Sequence, residues 1–208
     1  MGQVTTSVTL HEGDLPDGLG LGGRIAVDTE TMGLNTHRDR LCLVQLSAGD
    51  GTCHVVRFRE RRPEAPNLAR LLEDPAVLKL FHFARFDMQI LARALGVRVW
   101  PVFCTKIASR LARTYTDQHG LKDLCRELLD IDLSKQMQSS DWGRVELTPA
   151  QLRYAANDVL HLHRLADQLE DMLRREGRFE LAQACFDFLP DRVRLDLKGW
   201  SEVDIFAH

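Results

Sequence analysis

Five side chains in three separate segments of the sequence could together carry out metal-dependent chemistry. Asp28 and Glu30 end an apolar run that predicts a buried strand, and residues two apart in a strand point to the same side. Asp87 follows a second apolar run. Tyr154 and Asp158 are four residues apart in an amphipathic segment, so a helix would place them on one face.

Four acidic side chains can share one site if cations neutralise their charge, and oxygen ligands favour Mg²⁺ or Mn²⁺. Two such cations about 3.5–4 Å apart would form a clamp for in-line cleavage of a phosphodiester bond. In this interpretation Asp28 bridges both cations, and Asp87 helps to hold the second. Glu30 and Asp158 complete the site that binds the attacking water. Tyr154 would orient that water, because a phenol with a pKa of about 10 is a poor base at pH 7.

Each acid could instead be an ordinary surface or capping residue. Asp87 could occupy the first turn of a helix, where the macrodipole favours an acid, and Asp158 could lie on a solvated helix face. Their surroundings argue against this alternative, because Asp28 and Glu30 end an apolar strand and Asp158 lies among apolar residues. Carboxylates that close to a core need a partner.

The overall composition restricts the class of protein. A chain of 208 residues suits one α/β domain, and 44% hydrophobic with 27% charged residues is typical of a soluble globular protein. Residues 1–10 do not resemble a signal peptide, and no run approaches the ~18–20 apolar residues of a membrane span. The five cysteines, odd in number and without C-x-x-C pairing, indicate free thiols in the cytoplasm. A net charge of −3 provides no overall basic face, so a nucleic acid substrate, if there is one, is expected to be short or held only at its end.

The periodicity of apolar residues predicts the elements that must position these side chains. An irregular lead-in over 11–23 precedes strands at 24–28, 41–46 and 52–58, which form an antiparallel meander with a hairpin at 49–51. Further elements are a helix at 67–73, a strand at 77–81, helices at 84–95, 106–113 and 121–129, and an edge strand at 97–103. Thr148 and Gln151 predict a capping box, with Pro149 at the first helical position, at the start of a helix that runs to about Arg175.

The motifs carry a resemblance to a known group of nucleases. The signature consists of Asp28-x-Glu30, Asp87 and Tyr154-x-x-x-Asp158, and it resembles that of the DEDD exonucleases with tyrosine in the third motif. The runs 139–142 and 151–159 are similar to the ribonuclease D branch, and nearly the whole chain resembles the nano-RNase C family of bacterial diribonucleases. One departure is Phe83, where many members of the superfamily have Asn.

The resemblance implies a fold, an activity and an assembly. The fold is α/β and ribonuclease H-like, of the DnaQ-like exonuclease kind, with a mixed five-stranded sheet flanked by helices in a single domain over 1–208. The catalytic core is expected at about 22–175, and a C-terminal helix and tail over 178–208 should pack on the core or on a neighbouring subunit. The activity is 3′-5′ exoribonuclease cleavage of dinucleotides such as pGpG with two divalent cations, Mg²⁺ or Mn²⁺. A homo-octamer is also implied.

Two alternatives remain open at this point. The first is an exonuclease with the same chemistry and a broader range, similar to ribonuclease D or acting on DNA. The second is a non-catalytic nucleic-acid-binding protein on the same fold, against which the presence of all five signature residues argues. A steep fall in rate beyond two nucleotides would distinguish a dinucleotide specialist from the broader exonuclease.

Substrate recognition requires further side chains around the cleft. In related oligoribonucleases a leucine at the position of Leu34 wedges against the bases. A dinucleotide specialist must also recognise the 5′-phosphate, which needs cationic or hydrogen-bonding side chains near the scissile bond. The candidate substrate contacts are Leu34, Thr29, Met32, His82, Phe83, Arg85, Phe86, Lys106, His119, Lys135, Gln138 and Ser139. The alternative for each is an ordinary solvated or packed surface position.

Overall fold

The computed structural model describes residues 7–134, 137 and 140–207. Within them one mixed sheet contains the strands β1 (Ser7–Glu12), β2 (Arg24–Thr31), β3 (Leu41–Ser47), β4 (Thr52–Arg57), β5 (Leu78–Phe81) and β6 (Val102–Cys104). Their order across the sheet is β1-β4-β3-β2-β5-β6. The pairs β2–β3 and β3–β4 are antiparallel, as the predicted meander requires, and the other three pairs are parallel.

Seven α-helices in the described part of the chain surround this sheet. They are α1 (Pro66–Glu73), α2 (Ala84–Leu95), α3 (Thr105–Ala112), α4 (Leu121–Leu129), α5 (Pro149–Leu160), α6 (Leu162–Arg175) and α7 (Phe179–Leu195). A π-helical turn, Asp196–Trp200, follows α7. Among these helices none combines the length and the apolar character that crossing a membrane requires.

The predicted α/β class and single mixed sheet are confirmed, but three details were wrong. The sheet has six strands, and the additional strand is β1, which extends into the first residues of the segment predicted to be irregular. Its residues are mostly exposed at the sheet edge, so they carry little apolar signal. The predicted edge strand at 97–103 begins only at Val102, after Pro101, which has no N–H to donate to a ladder.

The third correction concerns the long helix predicted to run to Arg175. It is divided at His161, which ends α5 and begins α6. The division allows α5 to pack on β2, β3 and β4 while α6 packs on α3 and α4. Apolar residues continue at helical spacing across His161, so periodicity alone does not reveal the break.

Two local features fix the elements that carry the candidate acids. Strand β3 is buried along its whole length, and this explains its nearly continuous apolar sequence beside β2. Helix α5 begins with the predicted capping box: the Gln151 N–H donates to Thr148 Oγ1 at 3.2 Å, and the Thr148 N–H donates to Gln151 Oε1 at 3.0 Å. Such a cap contributes about 1 kcal/mol to helix stability, so the start of α5 is well defined.

Candidate active site

Three acids from two elements converge beside the sheet. Asp28 and Glu30 lie on β2 and Asp158 lies on α5, which packs against β2. Carboxylate oxygens of these three residues all lie within 4.8 Å of one another. The hydroxyl of Tyr154, one turn before Asp158, is hydrogen-bonded to the Asp158 carboxylate. Four of the five predicted catalytic side chains therefore share one place.

Asp87 lies close to this cluster in the first turn of α2 and is 3% exposed. Its Oδ1 accepts a hydrogen bond from the Thr29 hydroxyl at 2.6 Å, and its charge raises the pKa of Glu30. Phe83, with a left-handed backbone at φ 77°, turns the chain into α2 and so determines where Asp87 lies. Thr29, predicted as a substrate contact, uses its hydroxyl to hold Asp87 instead.

The cluster strongly disfavours full ionisation in the absence of cations. Burial raises the pKa of Asp28 to about 7. Burial, followed by the charges of Asp28, Asp158 and Asp87, raises the pKa of Glu30 to about 10. Burial and the charge of Asp28 also raise the pKa values of Asp87 and Asp158. Each of these side chains therefore loses its proton less readily than an exposed acid does, unless positive charge is brought to it.

The donor set fits hard divalent cations. Every donor in the cluster is a carboxylate oxygen, the ligand type that Mg²⁺ and Mn²⁺ prefer. No lysine or arginine in the described part of the chain forms an ion pair with these acids, and no cation contributes to their pKa shifts. A structural role would be expected to include such a partner, because buried carboxylates are costly without one. The acids are therefore suited to holding metal ions.

A cleft of about 360 Å³ opens in front of the acids. Of the predicted substrate contacts, those that line it are Thr29, Leu34, His82, Phe83, Phe86 and Lys106. Leu34 is 87% exposed, so a large apolar side chain is available to a ligand. Lys106 Nζ lies 4.2 Å from the centroid of the Phe83 ring, which places a cation beside an apolar surface.

His82 contributes hydrogen bonding rather than charge to the cleft. Its Nδ1 lies 2.9 Å from Thr105 Oγ1. Burial, and to a smaller extent the charge of Lys106, lowers the pKa of His82 to about 3. The imidazole is therefore neutral at physiological pH, and Lys106 supplies positive charge at this end of the cleft.

Other predicted substrate contacts do not line the cleft. Arg85 pairs with Asp196, its Nε donating at 2.6 Å and its Nη2 at 2.8 Å, so its charge is already neutralised. His119 Nδ1 lies 2.8 Å from Ser109 Oγ. Met32 is half exposed on the loop after β2. Lys135, Gln138 and Ser139 lie outside the described residues.

Several cleft residues were missed by the sequence reasoning. The start of α4 contributes Leu121 and Lys122, and the chain after α4 contributes Leu133 and Ser134. Nothing local marks these positions, because the tertiary fold alone brings α4 to the cleft.

Gln45, which does not line the cleft, was also missed. It lies opposite Asp28 on β3, and within the described residues neither side-chain amide atom has a hydrogen-bond partner. A polar residue within a buried apolar strand is the signal that could have identified it.

The mixed sheet, the flanking helices and the carboxylate cleft place the chain in the class of DnaQ-like 3′-5′ exonuclease domains. The family model described as "3'-5' exonuclease" matches residues 15–174, and the chain belongs to this family. Ribonuclease D from Granulibacter bethesdensis is 37% identical over 154 residues, which are 74% of this chain and 38% of that protein. The chain spans less than half the length of the ribonuclease D relatives that it matches.

Solved structures identify the particular group within this family. Brucella melitensis NrnC bound to pGG is 56% identical, covers 98% of this chain and 100% of its own, and has a TM-score of 0.94. The structure of the same protein with bound Mg²⁺ is 55% identical, covers 97% and 99% respectively, and has a TM-score of 0.93. These matches confirm the resemblance to the nano-RNase C enzymes. Escherichia coli RNase D, 22% identical with a TM-score of 0.74, shares the fold.

Proposed function

We propose that this chain is a metal-dependent 3′-5′ exoribonuclease that hydrolyses 5′-phosphorylated dinucleotides such as pGpG to mononucleotides. The observation that carries the proposal is the convergence of Asp28, Glu30 and Asp158 at a cleft with the exposed Leu34. The substrate length is supported by the likeness to Brucella NrnC, whose structure holds pGG. It is also supported by the net charge of −3, since a grip on long RNA requires a basic face.

The acids and the tyrosine have separate roles in this proposal. Asp28, Glu30, Asp87 and Asp158 would hold two divalent cations, Mg²⁺ or Mn²⁺, as in the DEDD exonucleases with tyrosine in the third motif. When bound, such cations lower the pKa of water and neutralise charge on the phosphodiester. Burial and the charge of Asp158 raise the pKa of Tyr154, so its phenol keeps its proton. Tyr154 therefore orients the attacking water rather than removing its proton.

The remaining cleft residues would bind the dinucleotide by general features of RNA. Leu34 and Phe83 offer exposed apolar surface on which any base can pack, which requires no reading of base edges. Lys106 brings positive charge to the cleft for the substrate phosphates, and so does Lys122, which also pairs with the exposed Asp132 at 3.3 Å. His82 is neutral and is hydrogen-bonded to Thr105 through Nδ1, so its other ring nitrogen can form a hydrogen bond with the substrate without adding charge.

The test compares 5′-labelled RNAs of two, three, five and seven nucleotides with purified protein and Mn²⁺ or Mg²⁺. We expect the dinucleotide to disappear at least tenfold faster than the longer chains. Stepwise shortening of all lengths at similar rates would contradict the substrate claim and favour a broader, ribonuclease D-like exonuclease. A DNA dinucleotide in the same assay tests the choice between RNA and DNA. Asp28→Ala should abolish turnover while circular dichroism shows an intact fold.

We further propose that the enzyme is cytoplasmic and forms the homo-octamer that the family resemblance implies. The end of the chain exposes apolar side chains that a neighbouring copy could cover: Phe188 is 40% exposed, Ile205 44% and Phe206 78%. Phe206 lies beside Phe188, with ring centroids 6.5 Å apart, so the tail and α7 form one surface. Light scattering coupled to gel filtration should give a mass eight times that of one chain, and a monomer would contradict this part of the proposal.

A further inference from the structure

An arginine-lined pocket lies outside the catalytic cleft and shares no lining residue with it. It has a volume of about 240 Å³ and is formed by the loop after β2, the segment after β4 and the C-terminal half of α2. We call it the arginine pocket after four of its lining residues, Arg40, Arg61, Arg62 and Arg93. This concentration of cationic side chains contrasts with the net charge of −3 for the whole chain.

Within the described residues, none of the four arginines of the arginine pocket forms an ion pair with an acid. Arg40, Arg61 and Arg93 donate to backbone carbonyl oxygens, which carry no net charge. Arg62 makes no hydrogen bond or ion pair within the described residues. Other arginines in the structure pair with carboxylates, as fully buried Arg113 does with Glu127. The bonds to carbonyls therefore fix three guanidinium groups in place while leaving their charge available to a ligand.

One acid, Asp39, lines the arginine pocket, but it is occupied by other partners. Its Oδ1 accepts from Arg38 Nε at 2.7 Å, and its Oδ2 accepts from the Asn35 N–H at 3.0 Å. Arg38 is not one of the lining residues, and it forms an ion pair with Asp39. Four arginine side chains thus line a space of about 240 Å³ with a single carboxylate, whose charge acts on both Arg38 and Arg61, so positive charge is in excess in the pocket.

We propose that the arginine pocket is a binding site for a phosphate-bearing anion such as pyrophosphate or a nucleoside phosphate. The planar guanidinium fork matches the oxygens of a phosphate group, and charge-assisted hydrogen bonds of this kind are strong. The volume suits one or two phosphate groups with a small substituent better than an extended chain. Arginines from the loop after β2 and from α2 contribute together, so a bound anion links these two elements.

The anion would strengthen a connection that the structure already contains. The Thr36 hydroxyl donates to Gln89 Oε1 on α2 at 3.0 Å, and Arg93 donates to the Thr36 carbonyl. Thr36 is two residues from Leu34 in the cleft, and Gln89 is two residues from Asp87. A ligand in the arginine pocket therefore holds the loop of Leu34 against the helix of Asp87, and it should raise the melting temperature of the protein.

The experiment measures pyrophosphate binding to the full chain by isothermal titration calorimetry in EDTA at constant ionic strength. It does not use turnover, so its result is independent of the proposed exonuclease activity. Wild type should bind one pyrophosphate per chain, and R61A/R62A should weaken binding at least tenfold. The charge-matched control R174A/R175A, at the end of α6, should bind as wild type does. Both replaced pairs are exposed, and equal melting temperatures without ligand show that the fold is intact.

Three results would overturn the proposal. They are the absence of saturable binding to wild type, equal weakening in R174A/R175A, and loss of binding in Lys122→Ala, which would place the anion in the catalytic cleft. A second arm titrates guanosine monophosphate and a five-nucleotide RNA under the same conditions. Binding of the monophosphate that R61A/R62A weakens supports a free nucleotide as the ligand. Arginine-dependent binding of the RNA alone would assign the site to phosphodiesters and refute a small-anion site.

Discussion

Replacing Glu30 by glutamine should stabilise the cation-free protein while abolishing turnover. Glu30 lies within 4.8 Å of Asp28 and Asp158 through its carboxylate oxygens, so it contributes strongly to the mutual repulsion of the cluster. Glutamine has nearly the same shape and still offers one oxygen, but it carries no charge. The substitution therefore removes the free-energy cost of burying an ionisable carboxyl group among other acids, and it also removes an anionic cation ligand.

The size of the stabilisation follows from the pKa of Glu30. Burial and the neighbouring acids raise this pKa from its ordinary 4.5 to about 10, so at pH 7 the folded state keeps a proton that the unfolded state has lost. Because the folded pKa is the higher one, the contribution to stability is intact below the unfolded pKa and declines as pH rises above it. At about 1.36 kcal/mol per pH unit, the loss reaches up to about 3 kcal/mol at pH 7. Glutamine does not titrate and avoids this loss.

Urea unfolding in EDTA measures the effect directly. The free energy of unfolding of Glu30→Gln should exceed that of wild type by less than about 1 kcal/mol at pH 5 and by up to about 3 kcal/mol at pH 7. Saturating Mn²⁺ should stabilise wild type at pH 7 by mass action and stabilise the variant much less. Glu146→Gln, an exposed control, should stay within about 0.5 kcal/mol of wild type at both pH values. A difference in unfolding free energy between Glu30→Gln and wild type that does not increase from pH 5 to pH 7 would refute this explanation.

Three further predictions concern the site and its support. Tyr154→Phe should slow single-turnover hydrolysis about a hundredfold while leaving Mn²⁺-dependent stabilisation unchanged, and an unchanged rate would remove Tyr154 from the mechanism. Asp196→Ala should lower the urea-derived free energy of unfolding by about 3 kcal/mol, because Arg85 and Arg192 lose a partner that is 1% exposed; a loss under about 1 kcal/mol would contradict this. Lys122→Ala should raise KM for the dinucleotide several-fold with little change in kcat, since it removes a phosphate-binding charge. Steady-state kinetics measure the two constants separately, and an unchanged KM would show that Lys122 does not bind the substrate.

Features with a strong local signal could be predicted from the sequence. Thr148 and Gln151 indicate the start of α5, because they form a capping box within a span of four residues. The period of two in β2 and the spacing of four in α5 select which side chains share a face. That Asp28, Glu30 and Asp158 share one site follows in addition from the cost of placing carboxylates near an apolar core without a partner.

Features that depend on long-range contacts could not be predicted in this way. Arg85 flanks the second motif and was expected near the substrate, but it pairs with Asp196, more than a hundred residues away in the sequence. His119 likewise bonds with Ser109 instead of lining the cleft. Lys122 reaches the cleft through the placement of α4, which no local pattern encodes. Strand β1 lacks a strong apolar signal because it forms an exposed edge.

The separation of the acids along the chain has a consequence for how the protein is made. Asp158 is synthesised 130 residues after Asp28, which at about 5–20 residues per second is a delay on the order of 10 s. During that time the ribosome carries a chain in which β2 can form but the three-carboxylate cluster cannot. A chain that ends before Asp158 therefore lacks the three-carboxylate cluster on which the proposed cleavage depends. The proposed cleavage therefore becomes possible only after Asp158 has been synthesised and α5 has packed against β2.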